Sequence, residues 1–394
     1  MLKQIILRKD KDRVIHNKHP WIFSGAAESL PPLEEGEIIQ IVNHERQLVA
    51  YAFYAPGNQI IARVFEFTSS PKDVNAKAYW VQKIRTAFEI RQSFLVSEQT
   101  NAYRLIHAEG DFFPGLIADV YNNVVVLQFL IKGAERLQAI IVDAISRLGF
   151  EYIFAKSKKV SQLLENMDIP TGWVSKMQGP DRVEVLENGA RFIVDFQEGQ
   201  KTGFFLDQRD ARALLAEFSA GKKVLNTFSY TGGFSIYALL AEAEFVHSVD
   251  SSESAIMLSE ENAALNGFGA PKHEAFAEDV FDYLKKMEHG AYDIIVLDPP
   301  AFAKTAKSLI NATRGYKELN LKAMQKIKPG GIIFTFSCSQ KVSRDLFRKI
   351  IFGAAADSGR NVRILAQTTQ GLDHPVNIYH PENEYLKGLV LQVE

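Results

Sequence analysis

The sequence predicts an α/β protein in three parts, and three patterns carry that reading. In the C-terminal half, near-continuous apolar strand runs alternate with helical runs, the pattern of a parallel sheet covered on both faces. From residue 1 to about 70, short β-type runs are broken by turn residues at the spacing of a small barrel. Between the two, a helical period is followed by short strands, as in a compact α/β (α+β) module. The 394 residues exceed one ordinary domain. Composition places the parts at 1–70, 71–175 and 176–394.

The N-terminal strand runs are Glu37–Val42, Leu48–Tyr54 and Gln59–Phe65, punctuated by Pro31-Pro32, Gly36 and Pro56-Gly57. In the central part Trp80, Ile84, Ala87, Phe88 and Arg91 follow three- and four-residue steps, so Val74 to about Ser97 reads as helix. Strands follow at Tyr103–His107, Leu116–Tyr121 and Val124–Leu130, then a helix at Ala134–Leu148 and a strand at Tyr152–Lys156. The polar stretch Gly172–Asp181 reads as a linker. The last part opens with a hairpin, Arg182–Leu186 and Arg191–Phe196, turned by Asn188-Gly189. Its parallel strands are expected at Lys223–Asn226, Phe245–Asp250, His273–Ala277, Ala291–Leu297 and Gly331–Phe336.

Apolar residues make up 46% of the chain, enough for each part to bury a core. A formal net charge of −2 argues against nonspecific polyanion binding by the whole molecule and leaves room for a local basic face. Lys3, Arg8, Lys9, Lys11, Arg13 and Lys18, with His16 and His19, form either such a face or a solvated edge. The one cysteine, Cys338, excludes an intrachain disulfide and a Cys-rich metal site, and fits a reducing cytoplasm; no metal is expected. Gln4–Leu7 is too short for a signal sequence, and no run approaches the roughly 20 apolar residues that span a bilayer. A soluble intracellular protein without a membrane partner is expected.

Five motifs bear on chemistry. Val224–Phe234 (VLNTFSYTGGF) is a strand, a glycine-bearing turn and a helix start. Gly232 and Gly233 lack Cβ, so a ligand can approach the backbone, and the next helix offers free N–H groups. The pattern is not GxGxxG, and an ordinary tight turn is the alternative. Asp250 ends the next strand about 20 residues on, placed either to bond both ribose hydroxyls or to cap the helix from Ser251. Glu278-Asp279 follows the third strand, where an acid either reaches an adenine amino group or caps the helix Val280–Lys286. In Asp293–Phe302 (DIIVLDPPAF) an apolar strand ends at Asp298, and Pro299 and Pro300 fix a stiff exit without N–H donors. Gly331–Gln340 (GIIFTFSCSQ) ends in Ser337-Cys338-Ser339. In the usual doubly wound order the last two strands are neighbours, so Cys338 and Asp298 emerge side by side at the ligand edge. A nearby negative charge disfavours a thiolate. A covalent nucleophile aimed at a bound base accounts for the pairing; a buried spectator thiol is the alternative.

Together these look like class I methyltransferase signatures. Lys201–Arg209 (KTGFFLDQR), Tyr230–Phe234, Asp298–Lys304 (DPPAFAK), Arg314–Asn320 (RGYKELN), Ser337–Ser339, Asp373–Val376 (DHPV) and Glu384–Lys387 (EYLK) resemble the bacterial PUA-containing 23S rRNA cytosine-5 methyltransferase family. His19–Gly25 (HPWIFSG) resembles the start of its PUA domain, and the resemblance spans nearly the whole chain. It implies an N-terminal PUA-like β-barrel, a small central α/β domain and a C-terminal Rossmann-like class I methyltransferase domain using S-adenosyl-L-methionine. Carried over residue by residue, it implies that Lys201, Gly203 and Asp207 hold the cofactor with Asn226, Phe228, Tyr230, Gly232, Gly233, Asp250, Asp279 and Asp298. Asp298 would also hold the target base, beside Pro299, Pro300 and Phe302, and Cys338 would be the nucleophile. The implied partner is naked or partly assembled 23S rRNA, met by the N-terminal barrel and basic edge. Lys156, Lys158 and Lys159 either extend that surface or form a solvated loop, and a homodimer is left open. One departure matters. Many RNA cytosine-5 methyltransferases carry a second cysteine beside the Asp298 motif for product release; here Pro299 stands there and the chain has no second cysteine.

The implied chemistry follows from the base. C5 of cytosine is a poor nucleophile until a thiolate adds to C6. Only about a few per cent of an ordinary thiol is ionised at neutral pH, so the bound base or a nearby donor must assist Cys338. The rivals are an amino-group methyltransferase, toward which Asp-Pro-Pro followed by an aromatic points, a uracil C5 enzyme, and a non-catalytic RNA-binding assembly factor.

Overall fold

In the computed structural model, which describes residues 2–9, 11, 13–57, 59–156, 171–302 and 309–394, the chain divides into two units. The first comprises Met1–Val185, Val194–Phe204 and Leu372–Asn383; the second comprises Leu186–Ile193, Phe205–Gly371 and Glu384–Glu394.

The first unit starts with a sheet in the order Trp21–Phe23, Ile60–Phe67, Leu48–Gly57, Ile38–Val42, Gln4–Leu7, Ala27–Ser29. Its two edge strands, Trp21–Phe23 and Ala27–Ser29, are joined by the three-residue turn Ser24–Ala26. The sheet must therefore curl until its edges approach, which produces the barrel-like form. Ile5, Leu7, Ile39, Ile41, Ala50, Ala52, Ala62 and Val64 fill the inside. The strands Gln4–Leu7, Trp21–Phe23 and Ala27–Ser29 were absent from the expected set because three or four residues show no period.

A second sheet follows in the order Gly172–Trp173, Tyr152–Ala155, Val124–Phe129, Leu116–Tyr121, Ala102–His107. Trp80, Ile84 and Ala87 of the helix Lys77–Phe94 pack on it. The helix expected over Ala134–Leu148 is two, Lys132–Arg136 and Gln138–Ser146, meeting at Leu137. The stretch read as a linker begins with a strand instead: Trp173 pairs with Phe154 and Gly172 with Ala155. Lys156 requires a further correction. It is 2% exposed and its ammonium donates to the Gly199 carbonyl at 2.6 Å, so it points inward and adds no surface cation. Lys158 and Lys159 lie outside the described residues. The DHPV segment belongs here because buried Arg91 grips the Asp111 carboxylate at 2.6 and 2.7 Å and donates to the Asp373 carbonyl at 3.0 Å.

The second unit carries the large sheet, in the order His273–Ala277, Phe245–Asp250, Lys223–Thr227, Ile294–Leu297, Gly331–Ser337, Lys387–Val393, Val362–Thr368. The five expected strands are all parallel, and the sheet is extended by Lys387–Val393, which runs antiparallel to both of its neighbours. Leu225, Ile295, Leu297 and Ile333 pack on the helices Val280–Lys286, Leu309–Lys326 and Arg344–Ser358. The alternate residues Asn226, Phe334 and Phe336 meet Ser235, Phe218 and Phe234 on the helices of the opposite face. Period-two alternation between two helical layers is why these strands are apolar nearly throughout.

The predicted hairpin turn is present, with Asn188 and Gly189 at φ of 50° and 83°. Beside it, Glu187 is wholly buried. It accepts two 2.8 Å hydrogen bonds from Arg212 and one at 3.1 Å from the Tyr237 hydroxyl, with Arg209 at 3.4 Å. Removing one side of a buried ion pair leaves the other charge uncompensated, at a cost of about 3–5 kcal/mol. Glu187→Ala is expected to lower the urea unfolding midpoint accordingly. A loss below about 1 kcal/mol would show that the arginines find other partners.

Candidate active site

The strand Lys223–Thr227 runs into a turn with left-handed backbone at Phe228 (φ 52°), Tyr230 (φ 47°) and Gly232 (φ 82°). The Ser229 N–H donates to the Val249 carbonyl at 3.0 Å, and the Tyr230 N–H to Asp250 Oδ2 at 2.9 Å. The end of the neighbouring strand Phe245–Asp250 thus fixes the turn at two points. A Cβ on Gly232 would stand 2.4 Å from Ser259 Oγ. Gly233 opens the helix Gly233–Leu240. Below the turn a buried polar chain crosses the sheet: Asn226 to Ser235 at 2.9 Å, Ser235 to Ser248 at 2.7 Å, Ser248 to His273 at 2.8 Å. Asn226 Oδ1 and Ser229 Oγ are buried without a hydrogen bond. Bare backbone beside orphaned polar atoms suits a polar ligand. Gly232→Ala combines a left-handed φ with a steric conflict, each worth about 1–3 kcal/mol. It is expected to weaken cofactor binding at least about tenfold by calorimetry; an unchanged affinity would mean that the turn does not shape the site.

The Asp250 carboxylate is engaged by backbone donors on two segments. Its oxygens take the Tyr230 and Ser252 N–H groups, at 2.9 and 3.0 Å, so it fastens the turn and orders the helix start. Each oxygen keeps lone-pair capacity for a further donor. Asp279 caps the helix Val280–Lys286 by accepting the Asp282 N–H at 3.2 Å. Asp207 is buried, and its Oδ2 accepts from the Tyr385 hydroxyl at 2.6 Å. Lys201 and Gly203 fall in the segment Val194–Phe204 of the first unit. There a Cβ on Gly203 (φ 129°) would meet Val194 Cγ1 at 2.7 Å and Phe196 Cα at 2.9 Å, so backbone packing within that unit accounts for the glycine.

The strands bearing Asp298 and Cys338 are parallel neighbours, with Leu297 beside Thr335. Asp298 is the first residue past that pairing and Cys338 the first past its own strand, so the two emerge at one sheet edge. Asp298 Oδ2 accepts from Gln208 Nε2 at 3.0 Å, and Gln208 is 3% exposed. Pro299 is buried and Pro300 exposed. The half-buried Phe302 ring packs on Tyr316 with centroids 4.7 Å apart. Tyr316 in turn shares a 3.0 Å hydrogen bond with Ser339 Oγ. Lys387 is buried and donates to the Ser339 carbonyl at 2.8 Å; burial pushes its pKa down to about 8. Gln208, Tyr316 and Lys387 lay inside motifs quoted above, without roles. Their partners lie 90, 23 and 48 positions away, so no local spacing pointed to them.

Among the described residues, His19, His380 and Glu382 bring metal-type ligand atoms within 4.8 Å of one another. Nδ1 of His19 accepts the Trp21 N–H at 3.1 Å, so a neutral ring carries its proton on Nε2, which faces the Glu382 carboxylate at 3.5 Å. A protonated nitrogen donates and does not ligate.

Residues 103–356 match the S-adenosylmethionine-dependent methyltransferase family, and residues 5–67 a PUA-like domain. The chain is 38% identical over 397 aligned positions to ribosomal RNA large subunit methyltransferase I of Cronobacter sakazakii, covering all of both chains. It is equally similar, at 38%, to the protein of the same name from Escherichia coli, again over both full lengths. Of solved structures, a candidate SAM-dependent methyltransferase from Streptococcus mutans has a TM-score of 0.84 at 23% identity, over 100% of both chains. A candidate methyltransferase complexed with SAH reaches 0.85 at 23%. These two share the fold.

Proposed function

This chain belongs to the ribosomal RNA large subunit methyltransferase I family, and from that membership we propose that it methylates C5 of a cytosine in 23S rRNA through a bond from Cys338 to C6 of the base. Its cofactor is S-adenosylmethionine. The observation that supports the reading most is the emergence of the chain's one thiol and Asp298 at neighbouring strand ends, on the sheet that carries the glycine turn.

When bound, S-adenosylmethionine supplies an electrophilic methyl group. The turn Phe228–Gly233, with Asn226 and Asp250, would hold it. The Cys338 thiolate adds to C6, and the electron pair of the 5,6 double bond moves toward C5 and the N3 edge. Asp298, oriented by Gln208, accepts from the amino group of the base and, once protonated, donates to N3, where negative charge builds up. C5 would then bond to the methyl group, the electron pair of the broken C–S bond staying on the donor sulfur, and loss of the C5 proton to a base restores the double bond as Cys338 leaves as a thiolate. The base must be reached outside a stack, which costs about a few kcal/mol in a duplex and less in unpaired RNA. Naked or partly assembled rRNA is therefore the better substrate. Lys3, Arg8, Lys9, Lys11, Arg13 and Lys18 are all exposed, and would contact phosphates.

The test is covalent trapping. In 23S rRNA containing 5-fluorocytosine, fluorine cannot leave C5 as a proton does, so a protein–RNA adduct should survive denaturing electrophoresis. Absence of any adduct, or its persistence after Cys338→Ala, counts against the mechanism.

A further inference from the structure

We propose that Lys387 is the cation that holds Cys338 as a thiolate, a positioning residue acting through the nucleophile; the inference rests on the cytosine-5 chemistry above. The register of the antiparallel strand Lys387–Val393 sets Lys387 directly opposite Ser337. Its ammonium reaches on to the Ser339 carbonyl at 2.8 Å. Backbone pairing on one side and the ammonium contact on the other bracket the residue between them, which is Cys338.

The charge needs a partner. Lys387 is 4% exposed, and its hydrogen bond goes to a neutral carbonyl, which compensates a buried ammonium poorly. Burial lowers its pKa to about 8, and an ionised Cys338 would be the largest influence pulling it back up. The other charges nearby are Arg344 and Glu384, and these two are ion-paired with each other at the surface. Tyr316, from the helix Leu309–Lys326, faces the same loop; burial and the Cys338 charge raise its pKa, so it stays a neutral hydroxyl. On the other side, Asp298 ends the adjacent parallel strand and its negative charge opposes ionisation of the thiol. Lys387 offsets that opposition. The thiol proton passes to solvent and the lysine stays an ammonium, so the resting pair has no net charge. The same cation favours Cys338 as leaving group when the adduct collapses, in a chain with no second cysteine to assist release.

Iodoacetamide alkylation of the full chain, followed by mass spectrometry across about pH 5.5 to 10, reads the ionisation of the thiol. With one cysteine in the sequence, the signal belongs to Cys338 alone. The wild-type midpoint is expected clearly below the ordinary value of about 8.5. Lys387→Gln keeps a donor for the Ser339 carbonyl but removes the charge. It should raise the midpoint by at least about one unit, roughly a tenfold slower alkylation at neutral pH. Lys387→Arg should keep the midpoint low. A wild-type midpoint at or above about 8.5, or a Lys387→Gln profile like that of wild type, overturns the proposal, and the first result needs no lysine variant. Alkylation requires neither RNA nor cofactor, so the outcomes separate. An unshifted profile removes Lys387's role and leaves cytosine-5 transfer standing. Methyl transfer by a chain lacking Cys338 removes that reaction while the shift in thiol ionisation is still measurable.

Discussion

Cys338→Ala is expected to lose methyl transfer to rRNA by at least about 10³-fold, because deleting a covalent nucleophile removes the reaction path rather than slowing one step of it. Cys338 is half-buried at a strand end, so the substitution should leave the unfolding midpoint close to that of wild type. Cofactor binding by calorimetry should also persist, since the glycine turn and Asp250 belong to other strands. Cys338→Ser should be similarly inactive, as a hydroxyl is far too weakly acidic to replace a thiolate. Retained transfer in either variant would make the thiol a spectator and point to an amino group as the methyl acceptor.

Asp298→Asn is expected to reduce kcat by about 10²–10³-fold, the range seen when one group aimed at developing charge is removed. The amide matches the carboxylate in size, and its oxygen can still accept from Gln208. What it loses is negative charge toward the amino group of the base and the capacity to carry a proton to N3. The effect should therefore fall on kcat, with cofactor affinity little changed. If calorimetry instead shows a large loss of S-adenosylmethionine binding and kcat at saturation holds, Asp298 serves the cofactor and not the base.

The parts of the site legible in the sequence are those that secondary structure alone positions. In a parallel sheet covered on both faces, strand ends are where ligand groups emerge. Apolar runs ending in Asp250, Asp298 and Ser337-Cys338 could therefore be placed from their own residues, and the adjacency of the last two followed from strand order. The Asn188-Gly189 turn was equally local. The supporting side chains were not legible, because tertiary contacts define them. Gln208 reads as an ordinary polar residue until the fold brings it against Asp298. Lys156 sits in a lysine-rich stretch and reads as a surface cation, yet the Gly199 carbonyl holds it inside. The reversed strand Lys387–Val393 is an apolar run whose direction depends on its neighbours, and its partner Val362–Thr368 is half-exposed, with polar residues breaking its pattern. At Asp250 and Asp279 a cap and a ligand contact would call on the same residue type. Both carboxylates accept backbone N–H groups, and neither role could be separated from the other by spacing.

Incubating the full chain with methyl-labelled S-adenosylmethionine and protein-free 23S rRNA, then digesting the RNA to nucleosides and separating them by mass spectrometry, tests the central claim most directly. The label should appear in 5-methylcytidine; label in N4-methylcytidine or in 5-methyluridine would contradict it.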